Sequence, residues 1–344
     1  MKPKTKNLIG VIGDPHFRDS LSYADHITDG RISERKEILD FIVSTFEDCG
    51  HIICLGDNFN ARNNSSETNR MFVEFLERFG KKDVYILSGN HEKKGDGKTA
   101  IDFIGEIDKP NWHIFTRPSS MEIEKLKVDF LPYMLNSELG VENCEDGVKE
   151  IMKNLDGGDI LFAHHSITGT SFNGIKTDDL KEIVLPKDKL EKKYKLIVAG
   201  HIHAPQQYGR VLITGSVFTG EVGEIEKFVW KINKDLEIEK IKLPCREIHK
   251  IENPTPDDLD AIPPNSIVKA IVTDKKIDVE KLKEELGRFD AHLLVEDYPN
   301  ERKKAHIEDG AAFDFSIESL LKLYSEEKGV SLDKLLKGYQ LINK

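Results

Sequence analysis

At five places along this chain, metal-grade side chains stand where an apolar run stops. Asp14 and His16 end the run over residues 7–13, and Gly56 and Asp57 follow residues 51–55. Gly89, Asn90, His91 and Glu92 come after residues 83–88. Further on, His164 and His165 follow residues 159–163, and Gly200, His201 and His203 follow residues 196–199. This pattern constrains the fold strongly, because open α/β sheets gather their chemistry in the loops beyond strand ends. The five ends are expected to meet.

The rest of the pattern says how they meet. Ile38, Phe41, Ile42 and Phe46 recur at helical spacing after the first run, and Phe72, Phe75, Leu76 and Phe79 after the second. This strand–helix rhythm predicts a sheet with helices on its faces and the phenylalanines in the core. From Trp112 onward, residues 112–117, 127–134, 159–165, 195–200, 208–214 and 227–232 read as short strands. The expected class is α/β (α+β), a two-sheet sandwich flanked by helices. Residues 236–243 alternate apolar and charged side chains, as an edge strand should.

Pro254, Pro256, Pro263 and Pro264 stand among aspartates, so residues 253–265 read as a linker. A strand over 267–272, a helix over 279–289 and a strand over 292–295 make a small α+β unit of their own. Ser316 and Ser331 then cap two amphipathic helix patterns parted by Gly329. These helices either pack on their own domain or dock on a partner's helices. The expected plan is a main domain over 1–252, the linker, an α+β domain over 266–300 and a helical tail over 301–344.

With 32% charged and 38% hydrophobic residues, the chain reads as soluble, with much solvated surface. Its formal charge of −11 argues against binding nucleic acid through the whole surface, though not against a local basic track beside bound cations. Cys49, Cys54, Cys144 and Cys245 are scattered and form no CxxC pair, which points to a reducing cytosol. The basic residues at the start precede an apolar run that stops at Asp14, so no signal peptide is expected. No run approaches the length of a membrane span.

The strand-end residues suit one kind of chemistry. Phosphodiester hydrolysis needs an activated water, neutralised phosphate oxygens and help for the leaving oxygen. Two divalent ions roughly 3.5–4 Å apart meet the first two needs if one carboxylate is shared between them. Asp57, at a strand end behind Gly56, is the expected bridge. Asp14 and His16 stand two apart on an extended segment and can grip one ion together, as can His201 and His203. Gly200 lets the backbone turn without a Cβ clash. Asn90 offers a neutral carbonyl oxygen, and His91 beside it can donate a proton toward the leaving group. A set without thiolates suits Mn²⁺, Fe²⁺ or Zn²⁺.

In order and spacing, this set resembles the calcineurin-like metallophosphoesterases, whose pattern runs D-x-H, GD, GNH with D or E, H, and GHxH. The resemblance implies that Asp14, His16, Asp57 and His203 hold one ion. It implies that Asp57, Asn90, His164 and His201 hold the other, with His91 as the catalytic histidine and His165 and Glu92 supporting. Within that superfamily, Gly215-Ser216, Glu221, Glu224 and Lys227-Phe228 resemble features of the SbcD-type nuclease subunit of double-strand-break repair complexes. Residues 246–251 and the strand–helix–strand unit resemble the start of that family's capping domain. The short acidic linker and compact ending are similar to a bacteriophage version. Asn60 departs from the His or Asp usual there and cannot act as acid or base, which leaves the balance of exonuclease and endonuclease activity open.

The resemblance implies a Mn²⁺-dependent DNA nuclease, a homodimer formed through helices of the N-terminal half, and docking on an SMC-like coiled-coil ATPase in the cytoplasm. Lys93, Lys94 and Lys98, just past His91, are expected phosphate contacts, or else simply a solvated loop. The alternatives are a stand-alone phosphodiesterase on a small nucleotide and a scaffold with a degenerate site.

Overall fold

The structure, a computed structural model, describes residues 8–21, 29–94, 97–172, 175–177, 180–220 and 226–295, with Ser325, Ser331, Leu332 and Lys334 beyond them. The chain forms two compact units, 1–296 and 297–344. Apart from those four residues, the two helices expected at the C-terminus lie outside the described residues, as do Glu221 and Glu224.

Strands β1 (Ile9–Ile12), β2 (His51–Cys54), β3 (Asp83–Leu87) and β4 (Trp112–Phe115) pair side by side and parallel. Helix α1 (Ile32–Thr45) connects the first two and α2 (Ser66–Glu77) the next two. The second sheet begins with the hairpin of β5 (Ser119–Ile123) and β6 (Leu126–Leu131). After α3 (Cys144–Asn154) comes β7 (Gly158–Ala163), then a short parallel pair, β8 (Ser166–Ile167) and β9 (Val184–Leu185). Helix α4 (Lys187–Lys193) leads into β10 (Tyr194–Ala199), followed by β11 (Gln206–Tyr208) and β12 (Val211–Ile213). The sheet order is β11-β12-β10-β7-β6-β5, its four inner strands parallel. The chain then returns to the first sheet with β13 (Phe228–Ile232), antiparallel to β1, and β14 (Ile238–Lys242) at the edge.

Alternation on the strands builds three layers of core. Ile9, Val11, Ile53 and Leu87 of the first sheet meet Phe130, Ile160, Phe162 and Val198 of the second. On the outer face of the first sheet, Ile12, Ile52 and Ile86 pack against Ile38, Ile42, Phe72 and Phe75 of the helices. Leu161, Ile197 and Ile213 do the same with Ile151 and Leu190 on the far side. The result is the expected two-sheet sandwich between helices.

Three details differ from the sequence reading. Residues 208–214 are not one strand, because Gly209 at φ +63° turns the chain between β11 and β12. The sequence pattern singled out neither α3 nor α4. Residues 253–265 carry a short helix, α5 (Pro256–Asp260), capped by Thr255, whose hydroxyl accepts from the Asp258 N–H at 3.3 Å. Upstream of it, β15 (Ile248–Glu252) joins β16 (Ile267–Val272) and β17 (Asp290–Val295) in a parallel three-stranded sheet. Helix α6 (Val279–Leu286) covers this sheet through Leu282 and Leu286.

Candidate metal centre

The expected ligands converge from the ends of β1, β2, β3, β7 and β10. Asp14, His16 and His203 present donor atoms within 4.8 Å of one another, and so do Asp57, His164 and His201. In the first group the Nε2 atoms of His16 and His203 lie 2.9 Å apart. In the second, the Asn90 side-chain oxygen stands 3.1 Å from His164 Nε2 and 2.9 Å from His201 Nδ1. Asp57 faces both groups. Its Oδ2 is 3.3 Å from His164 Nε2, 4.0 Å from His16 Nε2 and 3.9 Å from His91 Nε2. Its Oδ1 accepts the His91 backbone N–H at 2.9 Å. One oxygen is thus pinned and the other is left facing the centre, as a bridging ligand requires.

Hydrogen bonds on the outer nitrogens decide which ring atoms point inward. A carbonyl only accepts, so the 2.8 Å contact of His164 Nδ1 with the Leu55 carbonyl places a proton on Nδ1. In the neutral ring, the lone pair of Nε2 then faces Asn90 and Asp57. The Asn60 carbonyl holds His91 Nδ1 in the same way at 2.8 Å, turning Nε2 toward Asp57. His201 is held from the other side, its Nε2 lying 3.1 Å from each carboxylate oxygen of Glu182. His16 Nδ1 is buried without a hydrogen-bond partner. Glu182 escaped the sequence reading because it stands outside every strand-end motif.

The electrostatics demand cations. Burial pushes the Asp14 carboxyl above its ordinary value, although His164 and His203 pull against it. Burial also works against ionised Asp57, but the neighbouring His164 outweighs it and holds that carboxyl well below the usual range. His164 pays for burial too, yet the charges of Asp57 and Asp14 lift it to about 9. Burial drives His16 down to about 3. Glu182 is partly buried, but its hydrogen bonds with His201 and Ser166 bring it below the ordinary value. A proton on His164 offsets part of the charge of the two aspartates, and divalent ions at the same place would displace it. The nitrogen and oxygen donors fit two borderline divalent ions. Cys54 lies at the end of β2, but burial pushes its thiol up to about 12, and it belongs to neither ligand group.

The backbone is strained to reach this geometry. His16, Asp57 and His201 adopt φ values of +43°, +44° and +82°. Such left-handed non-glycine positions cost about 1–3 kcal/mol each and gather at functional sites. Gly56, at φ +109°, sits so close that a Cβ there would lie 2.4 Å from His164 Nδ1. A Cβ at Gly89 would lie 2.1 Å from Asp57 Oδ1. Glu92 is fully buried and accepts the N–H groups of Phe59 at 2.7 Å and Gly89 at 2.5 Å, tying the loops after β2 and β3 together. Burial, then the charge of Asp57, raises its carboxyl to about 8.

Residues 8–215, which contain all seven expected ligand positions, match the calcineurin-like phosphoesterase family. The chain belongs to this family. No curated protein matches it. The family chemistry is metal-dependent phosphoester hydrolysis, and in this phosphoesterase the cleft for it measures about 300 Å³, with Arg18, Asn60, His91 and Phe218 among its walls.

The remaining expected residues sort by contact. His165 lies outside the ligand groups: its Nε2 accepts the Met134 N–H at 3.1 Å, and its ring stacks on Tyr133. Asn60 holds His91 through its carbonyl, while its side chain accepts from Arg18 at 3.4 Å. Lys93, one of the three lysines expected at phosphate, is already paired. Its ammonium is buried in an ion pair with Glu138 at 3.0 Å. Lys94 and Lys98 line a second pocket of about 390 Å³ together with Arg62. Lys227, 1% exposed, donates to Ser216 Oγ at 2.6 Å and to the His203 carbonyl at 3.3 Å, bracing the loop that carries the last ligand. Among the described residues no helix is long and apolar enough to cross a membrane.

Proposed function

We propose that this phosphoesterase is a metal-dependent DNA nuclease. It uses two divalent ions, Mn²⁺ first among them, and works as a homodimer with an SMC-like ATPase in repair or recombination. The observation that carries the reading is the second pocket. The loops that supply Asn60 and His91 to the cleft run on within a few residues to Arg62, Lys94 and Lys98, and these cations line the pocket beside Asn63, Asn64 and Asn69. On a chain of net charge −11, such a concentration of cations and amides suits further phosphates of a polymer.

When bound, the ions supply phosphate charge neutralisation and an activated water. The chain's own groups do the rest. Asp57 and the imidazoles fix the phosphate-binding face. His91 Nε2 looks into the cleft, where the imidazolium form can hand its proton to the departing oxygen. The Asn60 carbonyl keeps hold of Nδ1–H meanwhile and so preserves the ring's orientation. Arg18, tethered to Asn60, lines the same wall and meets the anionic substrate at the entrance.

The test compares Mn²⁺-dependent hydrolysis of duplex and single-stranded DNA of graded length with that of cyclic nucleotides. Rates that climb with DNA length, and fall when Arg62, Lys94 and Lys98 are reversed in charge, are expected. The second reading, a diesterase for small nucleotides, draws support from the cleft's volume, which is at the small end for ligand sites. Faster turnover of cyclic nucleotides than of any DNA would favour it. Light scattering of the protein alone and with a candidate ATPase tests the assembly.

A further inference from the structure

We infer that Glu182 is a positioning residue that holds His201 in the tautomer able to bind a divalent ion beside Asn90, His164 and Asp57. Both of its carboxylate oxygens stand 3.1 Å from His201 Nε2. The Glu182 carboxylate, being charged, is a stronger acceptor than the Asn90 amide oxygen on the ring's other side, so the ring proton stays on Nε2 and the lone pair of Nδ1 points inward. There it meets the Asn90 oxygen at 2.9 Å, which in turn lies 3.1 Å from His164 Nε2. Three acceptors thereby converge on one point.

Glu182 is itself held in place. Its Oε1 takes the Ser166 hydroxyl at 2.5 Å, and Ser166 is 1% exposed on β8. The β8–β9 ladder pairs Ser166 with Val184, two residues beyond Glu182, and sets the carboxylate beside the ring. Ser166 also follows the ligand His164 by two positions, so the loop that delivers one imidazole anchors the residue that orients another. The left-handed backbone at His201, φ +82°, is held separately, its N–H donating to Asp14 Oδ2 at 2.8 Å. The Glu182–His201 pair is the carboxylate–histidine–metal arrangement, whose loss typically costs about 10–100-fold in metal affinity.

The experiment reads metal binding rather than turnover, so it stands apart from the identity of the substrate. Mn²⁺ is titrated into metal-free wild type, E182A and E182Q by calorimetry, with bound ions counted by electron paramagnetic resonance. E182A should keep one ion at wild-type affinity and bind the other about 10–100-fold more weakly. E182Q, whose amide oxygen still accepts from Nε2, should recover most of that loss. Nitrogen-15 spectra of the metal-free protein should show His201 protonated at Nε2 in wild type and at Nδ1, facing the Asn90 oxygen, in E182A. The inference fails if E182A binds both ions like wild type, or if both weaken together while the metal-free melting temperature drops. It also fails if E182Q is no better than E182A, or if the tautomer does not change.

Discussion

The two halves of the metal centre are built to different standards. On the Asp57, Asn90, His164 and His201 side, both imidazoles are fixed from behind, one by the Leu55 carbonyl and the other by the Glu182 carboxylate. On the Asp14, His16 and His203 side, His16 Nδ1 is buried with no such acceptor, and its Nε2 makes its close contact with a second imidazole. The difference teaches where preorganisation comes from. The first half is shaped before any ion arrives, whereas in the second the His16 ring depends more on the ion to settle it.

Breaking the shared ligand should give the largest effect. Asp57 presents Oδ2 to both halves, so D57A is expected to lose both ions and to reduce hydrolysis of an activated diester by more than roughly a thousandfold. Metal analysis and circular dichroism of the purified variant check this. Two bound ions in a folded D57A would show that the halves do not share a ligand.

Single ligands should separate the halves. H16A is expected to retain one ion and H164A to retain the other. Because His164 also bonds to the Leu55 carbonyl and is fully buried, H164A should melt lower than H16A even without metal, by about 1–3 kcal/mol of stability. Equal melting of the two metal-free variants would remove the asymmetry. H91N is expected to lose neither ion and to slow the reaction by roughly 10²–10⁴-fold, with His91 acting as a proton donor although its ring also clusters with His16 and Asp57. A drop in bound metal for H91N would make that residue a ligand instead.

How much of this the sequence disclosed follows the range of the interactions. The D-x-H, GNH and G-H-x-H stretches are short, and alternation along an extended segment already points their side chains together. The sandwich was legible for the same reason, since strand and helix periods are local signals. Glu182 was not, because β8 and β9 pair across sixteen intervening residues, 168–183, and no local spacing records such a pairing. The pairing of Lys93 was hidden in the same way, because its partner Glu138 is 45 positions away. The strand β15 was hidden behind the prolines that follow it, whose punctuation suggested a linker where a capped turn of helix stands.

The smallest expected effect needs no mutation. If an imidazole anchored from behind binds better than one that, like His16, lacks such an acceptor, the two ions should leave at different chelator concentrations, the ion held by Asp14, His16 and His203 first. A difference of about tenfold in affinity, roughly 1.4 kcal/mol, corresponds to the lower end of what an outer hydrogen bond contributes to a ligating histidine. Graded chelation of the Mn²⁺-loaded protein, followed by electron paramagnetic resonance, should pass through a one-ion species with a spectrum matching that of H16A rather than H164A. A one-ion species resembling H164A would place the tighter site on the side of His16. Bridging by Asp57 or the charge of Asp14 would then outweigh ring orientation in setting affinity.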